Sequence, residues 1–143
     1  MKIKLSIIAL LLVFGSQSSG PEGWQIFDMV TFKTTYFEEI DSYFEVPTFD
    51  EALKNLEGTT VTLSGYFIPI ETDSIFVLSG LPFSSCFFCG GAGPETVAEV
   101  RMNKVPDDLF ADDLVKVEGK LKLNATDIDY MNFIIHEAKI VKD

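Results

Sequence analysis

Two stretches in which apolar residues recur at every second position restrict this chain to a fold built from β-strands. The pattern runs through Thr59–Ile68 and again through Val115–Leu123. A period of two places the apolar residues on one face of a strand, turned toward a core. Each stretch carries a glycine in mid-course, Gly65 and Gly119. Glycine inside a strand indicates a bulge or a sharp bend, as a small closed barrel requires.

Three more strands are predicted at about residues 74–79, 96–103 and 133–141, and Pro106–Phe110 is expected to form a single helical turn. Five strands with a helical element between the third and the fourth are typical of the OB barrel, a partly open Greek-key barrel. A β-sandwich is the alternative, but it requires more strands than the sequence contains. The predicted fold class is therefore all-β with short helices, a five-stranded OB-like Greek-key barrel over residues 59–143.

Residues 19–58 are predicted to form an N-terminal extension that is rich in aromatic residues. The piece around Phe27–Tyr36 is interpreted as a strand that pairs with the main sheet, and Asp41–Pro47 as irregular. The segment Thr48–Glu51 has the form of a capping box and predicts a short helix that begins there, with Gly58 just past its end. An aromatic stripe of this kind is more often packing than a ligand cage.

The first 18 residues have the pattern of a cleavable signal peptide. Lys2 and Lys4 precede an apolar run over residues 5–14, and small polar residues follow. The run is much shorter than the roughly 20 residues that span a bilayer. We therefore predict a signal peptide over 1–18, a single OB-like domain over 19–143 that does not span a membrane, and a periplasmic or secreted location.

The charge of the chain argues against a nucleic-acid partner. The sequence has 22 acidic and 11 basic residues, for a formal net charge of −11. Removal of Lys2 and Lys4 with the signal peptide would make the domain more acidic still. Such a surface repels phosphate backbones, and no basic cluster offsets the repulsion. The acidity is interpreted as a source of solubility.

One short block stands out chemically: Cys86-Phe87-Phe88-Cys89 followed by glycines, a proline and Glu95. It falls between the second and third predicted strands, and the glycines and proline exclude a helix that starts at the pair. Thioredoxin-type cysteines owe part of their reactivity to such a helix. A structural disulfide is one alternative, although closing so short a loop adds only about 2 kcal/mol to the stability of the fold. A structural zinc site is a further alternative, but it takes four ligands.

Two other residues could complete a metal site with Cys86 and Cys89. Glu95 lies in the same block, where it could equally be a solvated carboxylate. His136 is the single histidine and falls on the fifth predicted strand. The apolar residues at the even positions around it, Ile134 and Ala138 among them, suggest that its side chain points inward. A histidine in that setting is more often a hydrogen-bonded core residue than a ligand.

The blocks Gly58–Pro69, Leu78–Pro82, Cys86–Glu95 and Gly119–Asn124 resemble a group of short exported bacterial proteins. That group is similar to a wider family known as a domain of unknown function with an OB-like barrel. The resemblance runs from Trp24 through nearly all of the remaining chain, and its most specific part is CFFCGGAGPE. It implies export, the barrel and metal handling, since members of the wider family are thought to accompany metal-uptake systems.

The resemblance carries over to six positions of this chain: Cys86, Cys89, Gly90, Gly93, Pro94 and Glu95. In the wider family a cysteine is followed by a histidine and a proline-rich run. Cys89 and glycines take that place here, so the resemblance does not establish that this chain shares the ligand set of the wider family. The resemblance implies no established catalytic activity.

These observations favour an exported, non-catalytic binding module over an enzyme. The leading hypothesis is capture of zinc or copper by Cys86 and Cys89, completed by Glu95 or His136. One alternative is a thiol-disulfide oxidoreductase in which an exposed Cys86 attacks and Cys89 resolves the mixed disulfide. Another is an interaction scaffold in which a Cys86–Cys89 disulfide shapes a loop. The expected partners are thus a metal ion or another exported protein.

Overall fold

The computed structural model describes residues 20–142, a range in which β-strands are the main secondary structure. The predicted signal peptide, residues 1–18, lies outside the described residues. In chain order the strands and helix are β1 (Thr31–Phe37), β2 (Ser42–Thr48), α1 (Glu51–Leu56), β3 (Thr60–Pro69), β4 (Ile75–Ser79), β5 (Val97–Arg101), β6 (Leu114–Leu123) and β7 (Phe133–Val141). Short 3-10 turns lie at Trp24–Phe27, Glu38–Ile40, Phe83–Ser85, Phe87–Cys89 and Pro94–Thr96. No helix within 20–142 is long and apolar enough to cross a membrane.

Strands β3 to β7 form a closed barrel in the order β3-β4-β5-β7-β6. Neighbouring strands are antiparallel, except that β5 and β7 pair in parallel, with Glu99 opposite Ile134 and Val100 opposite Ile135. The barrel closes through the antiparallel pairing of β6 with β3. A five-stranded Greek-key barrel is the architecture of OB folds. The predicted all-β, OB-like barrel is therefore confirmed.

The barrel interior is filled by the residues that the two-residue period had placed on one face. Val61 and Leu63 of β3 and Val117 and Leu121 of β6 are all completely buried. Burial of such side chains is the main favourable contribution to folding, about 1.5–3 kcal/mol for each one. The alternation read from the sequence is therefore the pattern that builds the core.

Aromatic residues from the N-terminal extension pack against the barrel core. Phe27 is completely buried, and its ring centroid lies 4.0 Å from that of Phe133 on β7. Phe49 packs edge-on against the same Phe133 ring at 6.0 Å. The Trp24 indole N–H donates a hydrogen bond to the carbonyl oxygen of Ser64 at 2.8 Å. This part of the aromatic segment is thus packing, as expected.

Gly119 lies at a bulge that bends the barrel wall. The register between β6 and β7 shifts between Glu118 and Lys120. A Cβ atom at Gly119 would lie 2.7 Å from Cγ2 of Ile135 and 2.9 Å from the carbonyl oxygen of His136. Because β7 passes so close to the bulge, only glycine fits without displacing it. The bulge predicted at Gly119 is confirmed.

The hairpin formed by β1 and β2 corrects two predictions. β1 does not join the main sheet: it pairs antiparallel with β2 in a separate two-stranded sheet, with Thr31 opposite Thr48 and Phe37 opposite Ser42. The segment Asp41–Pro47, expected to be irregular, supplies most of β2. The turn between the strands ends at Asp41, which has a positive φ of 49°. Aspartate tolerates this left-handed conformation, so a tight turn forms without glycine.

The predicted short helix before Gly58 is confirmed as α1, but its cap and the expected helical turn at Pro106–Phe110 need correction. The helix α1 is capped by Asp50, whose Oδ1 accepts a hydrogen bond from the Leu53 amide at 2.8 Å, whereas Thr48 ends β2. Asp50 can replace Thr48 because aspartate is an equally good N-cap. Pro106–Phe110 forms a turn and not a helical turn. Its end is held by Asp113, whose side chain accepts a hydrogen bond from the Phe110 amide at 2.8 Å.

Candidate functional site

The cysteine pair lies in residues 80–96, which connect β4 to β5 as expected; we call this segment the cysteine loop. Both of its ends are held by hydrogen bonds. The Ser79 hydroxyl donates to the Leu81 carbonyl oxygen at 2.6 Å, and the Thr96 hydroxyl to that of Gly93 at 2.7 Å. Its first part is tied to the β5–β6 connection, since the Phe83 amide donates a hydrogen bond to Oδ1 of Asp112 at 2.8 Å. These hydrogen bonds hold the cysteine loop in one conformation against the barrel.

The two cysteines occupy opposite environments. Cys86 is completely buried in a small apolar cluster with Ile68, Val77 and Val97, against which Met131 packs. Cys89 is exposed. This corrects the alternative in which an exposed Cys86 attacks a disulfide, because Cys86 is the covered member. The reason lies in the chain path: residue 86 points back onto β3, β4 and β5, and the Phe87–Cys89 turn carries residue 89 outward.

Both thiols are free, and they lie near enough for Cys86 to affect the pKa of Cys89. The Cys89 sulfur also donates a hydrogen bond to the carbonyl oxygen of Phe83, at 3.2 Å. Loss of hydration, the hydrogen bond with Cys86 and charge repulsion from Cys86 together raise the pKa of Cys89. The exposed thiol is therefore mainly protonated at neutral pH, which lowers its reactivity as a nucleophile.

Two glycines give the turn its shape. Gly90 has a φ of 74°, which a residue with a side chain adopts only at a cost. A Cβ atom at Gly91 would lie 2.5 Å from the carbonyl oxygen of Ser85. The amides of Cys89 and Gly91 both donate to the Cys86 carbonyl oxygen, at 3.1 and 3.2 Å. The chain thus folds tightly around Cys86 and brings its sulfur and that of Cys89 together.

Glu95 and His136 do not join the cysteines. The Glu95 carboxylate folds back over Gly93, where a Cβ atom would lie 2.6 Å from Oε1. His136 stands on β7 beside Glu137, with 4.0 Å between Nδ1 and Oε1. Among residues 20–142, no three histidine, cysteine, aspartate or glutamate side chains form a group that could hold a metal ion. Of the four predicted ligands, the structure brings together Cys86 and Cys89.

The expected inward orientation of His136 is wrong, since its side chain is 37% exposed. The even positions Ala138 and Ile140 do pack on the core, but Phe133 and Ile135 do so on the other side of the histidine. The alternation changes phase at Glu137, which has a φ of 49° opposite the Gly119 bulge. If the inward-facing positions are extrapolated from Ala138 toward the N-terminus by steps of two residues, His136 is therefore assigned to the wrong face of the strand.

A pocket of about 630 Å³ lies next to the cysteine loop. Its floor is formed by Val77 of β4 and by Val97 and Glu99 of β5. Its walls come from the β1–β2 hairpin, from the cysteine loop through Phe87 and Phe88, and from residues 125–132 between β6 and β7. The volume lies within the range of about 300–1,000 Å³ that is common for small-molecule sites.

Glu99 is the one buried acidic residue in the part of the chain that the structure describes, with 7% of its surface exposed. Its Oε1 accepts a hydrogen bond from Nε of Arg101 at 2.6 Å, and its Oε2 one from the Met131 amide at 3.3 Å. The Arg101 guanidinium carbon lies 4.6 Å from the centroid of the Tyr130 ring. The carboxylate thus links β5 to the 125–132 loop and orients Tyr130 at the pocket.

Sequence reasoning missed this pocket and the role of Glu99. Glu99 was contained in a predicted strand without being singled out. The signal that could have found it is a carboxylate in mid-strand between Ala98 and Val100, two residues before an arginine. A charged residue among apolar neighbours needs a partner when it is buried. The segments that form the pocket walls are far apart in the sequence, so no local sequence pattern predicts the pocket.

Comparison with known proteins adds evidence on the fold. A crystal structure of a DUF3299 family protein from Pseudomonas aeruginosa PAO1 is similar, with a TM-score of 0.50 and 14% sequence identity. The alignment covers 87% of this chain and 99% of that protein. No family model matches the chain, and a search of curated proteins finds no match. This chain therefore shares its barrel fold with a protein from a family whose domain has no known function.

Proposed function

We propose that this protein is an exported, non-catalytic binding module of the periplasm or the extracellular space, and that its cysteine loop captures copper as Cu(I). The observation that carries the proposal is that the tight turn of the cysteine loop places the exposed Cys89 thiol next to the buried Cys86 thiol, near enough for the two to interact. A pair of sulfurs held together by a folded loop is a preformed chelate. Little conformational entropy is then lost when a metal ion joins them.

The ligand set favours copper over zinc. Zinc in structural sites takes four ligands, usually cysteine or histidine. Among the described residues, neither Glu95 nor His136 accompanies the cysteine pair. Soft thiolates select Cu(I), which accepts coordination by two sulfurs alone. The apolar cluster around Cys86 also suits a soft ion of low charge, because desolvating it costs less than desolvating a divalent ion.

Protons compete with the metal at this site. Each thiol must lose its proton to become a ligand, so binding releases protons. Since loss of hydration and the interaction with Cys86 both raise the pKa of Cys89, this competition persists above neutral pH. A cation between the sulfurs removes their mutual repulsion. The affinity for Cu(I) should therefore rise steadily as the pH increases from 6 to 9.

The test is a competition titration of the reduced protein with Cu(I) in the presence of a chromogenic Cu(I) chelator, followed by elemental analysis. We expect near-stoichiometric copper in the wild type and its loss in Cys89→Ser, whose exposed position leaves the fold intact. Ser85→Ala is the matched control in the same loop and should bind as the wild type does. Absence of bound copper in the folded, reduced wild type would overturn the proposal.

Two further variants separate copper from zinc. Glu95→Gln and His136→Gln should leave Cu(I) binding unchanged, because neither side chain joins the sulfurs. Stoichiometric zinc binding that either substitution abolishes would instead support the four-ligand site expected from the sequence. That result would require the cysteine loop to move toward the added ligand.

Thiol-disulfide exchange and a structural disulfide are the competing functions. For exchange, Cys89 would have to be the attacking thiol because Cys86 is buried, and its raised pKa opposes that role. Insulin reduction by the protein, or a mixed disulfide trapped on Cys89 in Cys86→Ala, would favour exchange. Intact mass before and after labelling of the native protein with a thiol reagent tests the scaffold, because a permanent disulfide leaves no thiol to label.

A further inference from the structure

The pocket beside the cysteine loop has a composition that is distinct from that of the thiol pair. We propose that it binds a small organic cation with an apolar body, of the class of substituted ammonium ions. The proposal does not depend on metal binding, because the pocket lining includes neither cysteine. It rests on three observations: the aromatic walls, the sign of the charges at the mouth, and a cation already stacked on one of the rings.

The walls present aromatic rings from three separate parts of the chain. Phe37 and Phe44 of the hairpin pack edge-on at 5.7 Å, as do Phe87 and Phe88 of the cysteine loop at 5.5 Å. Tyr130 contributes a ring from the third side. Two of the three floor residues, Val77 and Val97, are buried and apolar. An apolar molecule in this space replaces water on several sides, and a ring face attracts a positive charge through its quadrupole.

The charged residues of the pocket are all acidic. Glu45 on the hairpin and Asp127 and Asp129 on the opposite loop lie around the mouth, and Glu99 lies on the floor. No lysine, arginine or histidine from residues 20–142 is part of the lining. The carboxylate of Glu99 is already occupied by Arg101, so the attraction for a ligand comes from the three residues at the mouth. The same acidic residues would repel an anionic ligand.

The pocket already shows how one of its rings accommodates a cation. The guanidinium of Arg101 lies over Tyr130 with 4.6 Å between Cζ and the ring centroid. A delocalised cation thus stacks on this ring while its Nε pairs with the Glu99 carboxylate. Tyr130, at 47% exposed, retains surface toward the pocket. A ligand with an ammonium group and an apolar body could likewise stack on an aromatic ring and pair with a carboxylate.

A matched pair of probes tests the inference: tetraphenylphosphonium and tetraphenylborate, which share shape and apolar surface but carry opposite charges. Each is titrated into the purified, reduced, metal-free protein by isothermal calorimetry. We expect the cation to bind at least about tenfold more tightly than the anion. Equal affinities, or no binding of the cation, would overturn the proposal.

Variants separate the pocket from general attraction to an acidic surface. Tyr43→Ala and Phe88→Ala remove exposed rings of the lining and should each weaken cation binding about tenfold. Phe110→Ala, which removes a ring outside the pocket that is about as exposed as Tyr43, should not weaken binding. Asp129→Asn should reduce the preference for the cation, whereas Asp108→Asn, which removes the same charge elsewhere, should have little effect. Identical behaviour of lining and control variants would contradict the site.

One more variant makes the two proposals separable. Cys89→Ser removes a thiol that is not part of the lining, so it should abolish Cu(I) capture and leave tetraphenylphosphonium binding unchanged. Loss of cation binding in this folded variant would contradict an independent pocket. Failure of copper binding in the wild type would leave the pocket result unaffected.

Discussion

The Trp24 indole N–H donates a hydrogen bond to the Ser64 carbonyl oxygen at 2.8 Å, and this contact joins the N-terminal extension to the first barrel strand. The indole ring also covers Gly80 at the start of the cysteine loop, where a Cβ atom would lie 3.2 Å from the ring. One side chain therefore contacts the extension, the barrel and the beginning of the candidate site.

Replacing this tryptophan should destabilise the fold. Trp24→Phe keeps an aromatic ring but loses the donor, and we expect the free energy of unfolding to fall by about 1 kcal/mol. Urea denaturation measures the change. Tyr43→Phe is the control, because this residue is 69% exposed. An equal effect in the two variants would show that the indole hydrogen bond contributes nothing.

The two cysteines should respond differently to substitution by serine. Cys86→Ser places a hydroxyl in the cluster of Ile68, Val77 and Val97, and we expect it to cost about 1–3 kcal/mol. Cys89→Ser changes an exposed group and should leave the urea midpoint nearly unchanged. The comparison is made on reduced protein. Similar losses in both variants would contradict the assignment of Cys86 as the buried member.

The glycine at the β6 bulge should not tolerate a methyl group. In Gly119→Ala the new Cβ meets Ile135 and the His136 backbone, so we expect a loss of about 1–3 kcal/mol from overpacking. Lys122→Ala, on an exposed position of the same strand, should change stability by less than about 0.5 kcal/mol. Thermal or urea unfolding distinguishes them. A neutral Gly119→Ala would mean that β7 is free to shift away from the bulge.

Stability near the bulge should depend on pH through Glu137. Its hydrogen bond to Lys120 and the charge of that lysine lower the pKa of the Glu137 carboxyl below its ordinary value of 4.5. A carboxyl with a depressed folded-state pKa stabilises the protein above its unfolded-state pKa and loses that effect as the pH falls through the folded-state value. Glu137→Gln should therefore be less stable than the wild type at pH 7, and the difference should vanish in acid.

Urea unfolding at several pH values measures this effect. Glu71→Gln is the matched control, since it removes an exposed carboxylate in the β3–β4 connection. Its difference from the wild type should show little dependence on pH. A Glu137→Gln difference that persists unchanged below pH 3 would contradict the stabilisation by Lys120.

The barrel could be predicted from the sequence because its determinants are local. The alternation through Val61 and Leu63 encodes a buried strand face wherever the strand lies, and Gly119 marks a close approach of backbone. The β1–β2 hairpin escaped prediction because its turn uses Asp41 in a left-handed conformation, without the glycine that normally signals such a turn. His136 was assigned to the wrong face because the alternation of core-facing and outward-facing side chains along β7 is interrupted at Glu137.

By itself, the sequence determined that two sulfurs lie on one glycine-rich turn between the second and third barrel strands, since a spacing of three residues keeps them close in any compact loop. Only the tertiary structure decided that Cys86 is covered while Cys89 is open, because the covering side chains come from three different strands. It alone also formed the pocket beside Glu99, because the walls come from the hairpin, the cysteine loop and residues 125–132, which are far apart in the chain.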